Sequence, residues 1–370
     1  PVRLAPDPDQ LDAAMGIVAS AVRPVILAGR GAVKSGARET LVRLGDALGA
    51  PLSASLLATG FFRGEPFDLG LHGTLSHPIA AETLAAADCL IVFGAGLNYF
   101  TTGNHMMLTG KRVVHVDLDP THIDRFVTVD AGVVGDANVV AKAMIEMLSA
   151  AEHKPSGFRT SDLEQKLREF DPATAFDDKS YEGAVDPRTL TRRLDDGLPD
   201  QRQVVIDGGR FMFDALTLSV PEPKDFVTSH AFGSIGLGTS TAIGAAVARP
   251  DRPTVFCVGD GGLMMGGLTE LSTAVHLGLD LIVVVYNDRC YGAEHIQLVA
   301  KGLDPAASLH DWPDLCAVAH SMGFDTATIT SLEDIDTAMD VVRNRTPGVP
   351  VLIEASIDPD VVSTIYQQLG

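Results

Sequence analysis

Short apolar runs alternate with amphipathic stretches along most of the chain, and glycine or acidic residues follow many of the runs. The runs over residues 24–28, 254–258 and 281–286 are aliphatic or β-branched and have the length of buried strands. The stretches over residues 9–22, 35–48 and 331–343 repeat their apolar residues at helical intervals. Further strands are predicted over residues 89–93 and 325–329. Strands that alternate with helices in this way predict an α/β fold built on parallel sheets.

The pattern divides the chain into two regions of this kind. Residues 1–150 and residues 185–370 each alternate strands with helices, and each is predicted to be a doubly wound, Rossmann-like domain. Residues 151–184 between them are polar, with prolines and a glycine but no sustained apolar run. This composition indicates a linker that carries one exposed helix over residues 161–169.

Composition and charge narrow the class of protein. The chain has 370 residues, 46% of them hydrophobic, and a formal net charge of −20, which argues against binding to nucleic acid or to an anionic membrane surface. The sequence has no uncharged apolar run of about 18 residues, so no transmembrane helix is predicted. Cys89, Cys257, Cys290 and Cys316 form no CxxC pair, which favours a reduced, cytoplasmic protein.

The stretch from Val255 to Gly292 carries the most specific signal. One apolar run ends at the glycine-rich sequence 259–262, a predicted tight turn, and a helical pattern over 263–277 leads to a second run that ends at Asn287. Because parallel strands end at one edge of a sheet, Asp260 and Asn287 are expected to lie close together. Their oxygens suit Mg²⁺, and the N–H groups of the glycines and of a helix N-terminus suit phosphate. The local prediction is a Mg²⁺-diphosphate site, although Gly-Asp-Gly alone could be a plain turn.

Two features of the first region resemble a nucleotide site. Gly29 and Gly31 follow a strand, but the next glycine is Gly36, so the spacing of the GxGxxG fingerprint is not met. Asp117 and Asp119 follow another strand and would either accept from a ribose hydroxyl or cap a turn. A nucleotide is therefore possible in this region, but the motif does not support it.

The paired motifs bear a resemblance to a known family. The sequence GDGG over 259–262 and the sequence NDRCYG over 287–292, with Asp260 and Asn287 27 positions apart, resemble the metal-diphosphate motif of thiamine diphosphate enzymes. The whole-chain pattern is most similar to proteins of the acetolactate synthase type. The resemblance implies thiamine diphosphate and Mg²⁺ as cofactors, with the metal held by the Asp260 and Asn287 side chains and the main-chain carbonyl of Arg289.

The same resemblance assigns cofactor contacts to several loops. The carbonyl of Gly233 would accept from the aminopyrimidine, and Ile235 would lie beneath the thiazolium. Arg210 would contact the diphosphate or would be a solvated arginine. The implied cofactor-binding residues are Gly209, Arg210, Phe211, Gly233, Ser234, Ile235, Gly259, Asp260, Gly261, Gly262, Asn287, Tyr291 and Gly292.

The implied function is that of a transferase or lyase that decarboxylates small 2-oxo acids or joins them. Two alternatives stay open: a 2-oxo acid decarboxylase or acyl-CoA lyase of the same family, and a non-catalytic thiamine diphosphate-binding subunit. Glu294 and His295, where the sequence departs from the biosynthetic enzymes, are either proton donors or the solvated start of a helix. FAD binds the corresponding central domain of acetohydroxyacid synthases, and here it is possible but without motif support.

Family members also carry an N-terminal pyrimidine-binding domain, whose glutamate activates the cofactor. No segment of this sequence corresponds to that domain, so the activating glutamate is expected to lie outside the chain. We expect a truncated chain rather than a separate subunit. The complete protein is expected to be a homodimer or homotetramer, and this chain is expected to expose an apolar face around Phe211, Phe213 and Ile235.

Overall fold

The computed structural model of the protein describes residues 3–363. The chain separates into two compact units, with the division between Ala175 and Phe176. Each unit contains an all-parallel sheet with helices along it, which confirms the predicted α/β, doubly wound fold class. The predicted second domain runs to residue 370, and its last seven positions, 364–370, lie outside the described residues.

The first unit is built on six parallel strands within residues 3–175. These are β1 (Pro24–Ala28), β2 (Leu52–Ala54), β3 (Asp68–Leu71), β4 (Cys89–Phe93), β5 (Arg112–Asp117) and β6 (Ala131–Val134), in the order β3-β2-β1-β4-β5-β6. The helices are α1 (Pro8–Ser20), α2 (Arg30–Ser35), α3 (Arg38–Leu48), α4 (Pro78–Ala86), α5 (Tyr99–Thr102), α6 (Ala137–Ala150) and α7 (Ser161–Glu169). Every residue of β1 and β4 is buried, because helices cover both faces of the sheet centre.

Glycines explain two local features of this unit. The sequence predicted one helix over residues 35–48, which is wrong at its start, because Gly36 adopts φ = +65° and ends α2 before α3 begins. At the neighbouring ends of β1 and β4, a Cβ on Gly29 would lie 2.3 Å from the carbonyl oxygen of Gly94. The backbones of the two loops therefore touch at the edge of the sheet that carries Gly29 and Gly31. A nucleotide bound at this edge stays a prediction.

The second unit repeats the arrangement within residues 176–363. Its six strands are β7 (Gln203–Ile206), β8 (Phe226–Thr228), β9 (Thr254–Gly259), β10 (Leu281–Asn287), β11 (Asp325–Ile329) and β12 (Val351–Ser356), in the order β11-β12-β10-β9-β7-β8. Its helices are α8 (Pro187–Gly197), α9 (Met212–Ala215), α10 (Gly238–Ala248), α11 (Asp260–Gly266), α12 (Leu271–His276), α13 (Gly292–Ala300), α14 (Leu315–Met322) and α15 (Leu332–Arg343). No helix in residues 3–363 is both long and apolar enough to cross a membrane.

The connection from β9 to β10 differs from its prediction in two places. The predicted tight turn at 259–262 is wrong, because α11 begins at Asp260 directly after the strand. The predicted single helix over 263–277 is also wrong, because α11 ends at Gly266 and α12 begins at Leu271. A Cβ on Gly266 would lie 2.6 Å from the carbonyl oxygen of Gly236, so the glycine that weakens the helix also admits the neighbouring loop.

Candidate functional site

The register of β9 and β10 brings Asp260 and Asn287 to neighbouring positions. Gly259 pairs with Tyr286 across the two parallel strands, so Asp260, which follows β9, and Asn287, the last residue of β10, lie at the same edge of the sheet. Both side chains are buried, with 2% of Asp260 and 6% of Asn287 exposed. A carboxylate and an amide are therefore held together beneath the protein surface.

Asp260 lies where negative charge is disfavoured. Burial, and to a smaller extent the nearby Asp288 carboxylate, raises the pKa of Asp260 to about 7, while the Gly261 N–H and the indole of Trp312 oppose the shift. The Nε1–H of Trp312 donates to Oδ2 of Asp260 at 2.9 Å. A cation bound at this edge would stabilise the ionised carboxylate.

The amide of Asn287 is oriented by bonds at both of its ends. Nδ2 donates to Oε1 of Glu354 at 2.7 Å, and Oδ1 accepts the main-chain N–H of Arg289 at 2.9 Å. This Asx turn accompanies φ = +56° at Arg289, an uncommon conformation for a residue other than glycine. The carbonyl of Arg289 accepts the N–H of His310 at 2.9 Å.

A short segment, residues 308–312, packs on the loop that follows β10. The N–H of Tyr291 donates to the carbonyl of Ser308 at 2.8 Å, and the rings of His310 and Trp312 stack with their centroids 4.4 Å apart. The segment thus supplies donors to two of the three predicted metal-ligating positions, Asp260 and Arg289. A metal ion that bound both oxygens would have to share or replace these hydrogen bonds.

A pocket adjoins this edge of the sheet. Its lining residues are Gly208, Gly209, Arg210, Phe211, Ile235, Gly259, Asp260, Gly261, Gly262, Met265, Tyr286, Asp288, Cys290, Tyr291, Gly292, Ala293 and Glu294. The structure therefore gathers most of the residues predicted to bind the cofactor, while Gly233, Ser234, Asn287 and Arg289 are not among those that line this pocket. A Cβ on Gly261 would lie 2.7 Å from the ring of Tyr291, so the absence of a side chain there keeps the pocket wall close to the backbone.

Arg210 is buried, so the alternative that it is a solvated arginine is wrong. Its side chain is only 5% exposed and forms an ion pair with Asp288 at 2.9 Å. It also donates to the carbonyl oxygens of Asp358, Pro359 and Val361, at 3.3, 3.2 and 2.7 Å. Contact with a diphosphate stays a prediction, and the guanidinium already has several acceptors.

The loop over 229–236 is held by a carboxylate that sequence reasoning did not single out. Oδ1 of Asp207 accepts from the hydroxyl of Ser229 at 2.9 Å, and Oδ2 accepts the N–H of Gly236 at 2.8 Å. The signal available in the sequence was the position of Asp207 directly after a strand. Asp207 therefore fixes both ends of the loop that contains Gly233, Ser234 and Ile235.

The predicted apolar face needs a correction. Phe211 is buried, and its ring stacks on Tyr286 with centroids 5.0 Å apart, while Phe213 and Ile235 are half-buried. Phe232, in contrast, is fully exposed and adopts φ = +62°. The expectation of exposure at Phe211 is wrong because this ring packs on Tyr286 of β10.

The two candidate proton donors lie in different surroundings. Glu294 is exposed on α13 and lines the pocket. His295 is half-buried, and its Nδ1 lies 3.1 Å from the hydroxyl of Ser308. Cys290 is buried, and burial raises the pKa of its thiol well above the ordinary value, which removes it as a nucleophile at neutral pH.

The site fits a hard cation and a diphosphate. The predicted ligands Asp260, Asn287 and the Arg289 carbonyl offer only oxygen atoms, the ligand type that Mg²⁺ prefers. The glycines of 259–262 and Gly292 allow the backbone to approach an anion. Helices α11 and α13 begin within these two segments, so their N-terminal N–H groups are available there. The pocket beside them has an apolar wall from Phe211, Ile235 and other residues, which would suit a flat ring.

Two family models match the chain. Residues 207–355 match the family model described as "Thiamine pyrophosphate enzyme, C-terminal TPP binding domain", and residues 11–144 match "Thiamine pyrophosphate enzyme, central domain".

Similar curated proteins cover nearly the whole chain. The probable acetolactate synthase large subunit of Methanococcus aeolicus is 28% identical over 95% of this chain and 61% of its own length. The acetolactate synthase isozyme 3 large subunit of Escherichia coli (strain K12) is also 28% identical, over 94% of this chain and 62% of its own. The large subunit from Haemophilus influenzae is 25% identical over the same shares. The chain thus spans about three-fifths of the length of these relatives.

Proposed function

The chain belongs to the thiamine pyrophosphate enzyme family, and from this membership we propose that the complete protein is a thiamine diphosphate- and Mg²⁺-dependent enzyme of the acetolactate synthase type. Its substrates are small 2-oxo acids, which it decarboxylates and joins. The observation that carries the proposal is the shared edge of β9 and β10, where the register places Asp260 beside Asn287. The similarity to acetolactate synthase large subunits over 94–95% of the chain supports it.

In this proposal Asp260, Asn287 and the carbonyl of Arg289 would hold the metal ion. The backbone of 259–262 and of Gly292 would hold the diphosphate, because its N–H groups lie at the starts of α11 and α13. Thiamine diphosphate, when bound, supplies the electron sink for the bond to the departing CO₂.

Other residues of the second unit would position thiamine diphosphate and enclose it. Asp207 holds the loop of Gly233, Ser234 and Ile235 through Ser229 and Gly236, so this loop is fixed before a ring binds on it. The stacked rings of Phe211 and Tyr286 form an apolar wall that excludes water from the reacting centre. Glu294 lines the same pocket and is the candidate of this chain for moving a proton.

We also propose a homodimer or homotetramer in the cytoplasm. The exposed apolar residues Phe232, Leu237 and Met265 support a subunit contact in this unit. All four cysteines are buried free thiols, which agrees with a reducing compartment.

The test is calorimetric titration of the complete protein with thiamine diphosphate in the presence of Mg²⁺ and then of EDTA, with 2-oxo acid consumption measured in parallel. We expect binding that is lost in EDTA and in the variants Asp260→Ala and Asn287→Ala. The exposed Asp360→Ala is the control, and it should bind as the wild type does. Cofactor binding that survives both EDTA and Asp260→Ala would refute the proposed site.

A further inference from the structure

A further carboxylate adjoins the proposed metal site from the neighbouring strand. Glu354 interrupts the apolar run of β12, and the register pairs it with Val285 of β10. Side chains two residues apart on a strand share a face, so Glu354 lies diagonally across from Asn287. Its Oε1 accepts from Nδ2 of Asn287 at 2.7 Å.

This hydrogen bond acts together with the one that Oδ1 accepts from the N–H of Arg289, and it helps to set which atom of the Asn287 amide is available to a cation. An amide has one acceptor oxygen and one donor nitrogen, and the two ends exchange places when the group rotates by half a turn. Because a carboxylate accepts but does not donate, Glu354 selects the orientation with Nδ2 toward β12 and Oδ1 away from it. In the opposite orientation the N–H groups of the amide would point at the cation, and their partial positive charge would repel it.

We propose that Glu354 is a positioning residue for the Mg²⁺ site: it holds the Asn287 amide with Oδ1 toward the metal. The inference rests on the proposed function, in which Asn287 is a metal ligand. The carboxylate also polarises the amide, because a hydrogen bond to a charged acceptor is stronger than one to a neutral group. Partners of metal ligands commonly tune metal affinity in this way.

Glu354 has a second contact that offers a purely structural role. Its Oε2 accepts the N–H of Cys316 at 3.2 Å, in the first turn of α14. Asp314 caps the same helix, with its Oδ1 accepting the N–H of Ala317 at 2.8 Å. Asp314→Ala is therefore a matched control, because it removes a carboxylate bond from the start of α14 and leaves the bond between Glu354 and Asn287 in place.

The experiment measures metal affinity of the complete protein, rather than turnover. Mg²⁺ is titrated by calorimetry at saturating thiamine diphosphate, and Mn²⁺ binding is followed by electron paramagnetic resonance. Glu354→Gln keeps the side-chain size but has a single acceptor for two N–H donors, and we expect metal affinity to fall by about 10- to 100-fold. Asp314→Ala should lower the melting temperature and leave the metal affinity unchanged.

A double variant separates orientation from general damage. Asn287→Asp combined with Glu354→Gln exchanges the donor and acceptor, so a hydrogen bond between the two positions remains. The carboxylate at position 287 has two equivalent oxygens and needs no selection of its orientation. We expect the double variant to recover most of the metal affinity that Glu354→Gln loses, and this comparison holds even if the single variant folds poorly.

The outcomes distinguish this inference from the proposed function. Glu354→Gln with wild-type metal affinity would overturn the positioning role, and so would an equal loss in Asp314→Ala. In both cases the proposed function would stand, provided that Asn287→Ala still abolishes Mg²⁺-dependent binding. A wild-type protein that binds no metal with thiamine diphosphate would instead overturn the proposed function.

Discussion

Asp214 is expected to lower the stability of the folded protein at neutral and alkaline pH. It lies on α9 and is buried, and burial raises the pKa of its carboxyl to about 7, with Arg210 opposing the shift and Asp186 adding to it. The ordinary value is 3.8. Between these two values the folded state holds a proton that the unfolded state has released, so stability falls as the pH rises from about 4 to about 7.

The size of the effect follows from the difference between the two values. Each pKa unit corresponds to about 1.4 kcal/mol, so a difference of roughly three units lowers the free energy of unfolding by at most about 4 kcal/mol above pH 7. Asp214→Asn removes the ionisable group and nearly keeps its shape. At about 2–4 °C per kcal/mol for a unit of this size, the variant should melt up to about 8–16 °C higher at pH 8.

The assay is thermal unfolding followed by circular dichroism between pH 4 and pH 8, with the variant compared to the wild type at each pH. The melting temperatures of the two proteins should agree at pH 4, and the variant should melt increasingly above the wild type as the pH rises. Asp334→Asn is the control of opposite sign, because hydrogen bonds from Thr330 and Ser331 lower the pKa of Asp334. This variant should be less stable than the wild type at pH 8, and the difference should shrink as the pH falls. Parallel curves for Asp214→Asn and the wild type would refute the reasoning.

Three further predictions concern packing and the site. Gly29→Ala should destabilise the first unit by about 1–3 kcal/mol in denaturant unfolding, because its Cβ would lie 2.3 Å from the carbonyl oxygen of Gly94. Gly16→Ala should instead stabilise it by about 0.5–1 kcal/mol, because the residue lies in α1 with open space around it; a loss of stability would contradict this. The single tryptophan of the sequence, Trp312, donates to Asp260, so its fluorescence should change when Mg²⁺ and thiamine diphosphate bind, and the change should be absent in Asp260→Ala.

The strands could be predicted from the sequence more closely than the helices. The bounds predicted for β1, β4 and β11 are those observed. β1 and β4 are apolar runs with sharp ends. Helical periodicity, in contrast, continues across a break when the apolar spacing is kept. The helices predicted over 35–48 and 263–277 are each interrupted, at Gly36 and after Gly266, by tertiary contact or a left-handed residue that periodicity does not record.

The candidate site could be predicted only where its residues are near one another in the sequence. Asp260 directly follows β9 and Asn287 ends β10, so their proximity follows from the parallel order of the sheet. Glu354 lies 67 positions beyond Asn287 and Trp312 lies 52 beyond Asp260, and nothing in local spacing connects them. A charged residue inside the apolar run of β12 was the one available signal for Glu354.

The contacts of Arg210 limit changes of length in the segment after β12, residues 358–361. Three of its acceptors are main-chain carbonyls, at Asp358, Pro359 and Val361, and any amino acid at those positions would supply the same oxygen. The contact with Arg210 therefore sets no requirement on the side chains of these residues, whereas an insertion or deletion would move the carbonyls out of reach. Since the same guanidinium holds Asp288, a change of chain length after β12 would alter the loop that carries Arg289.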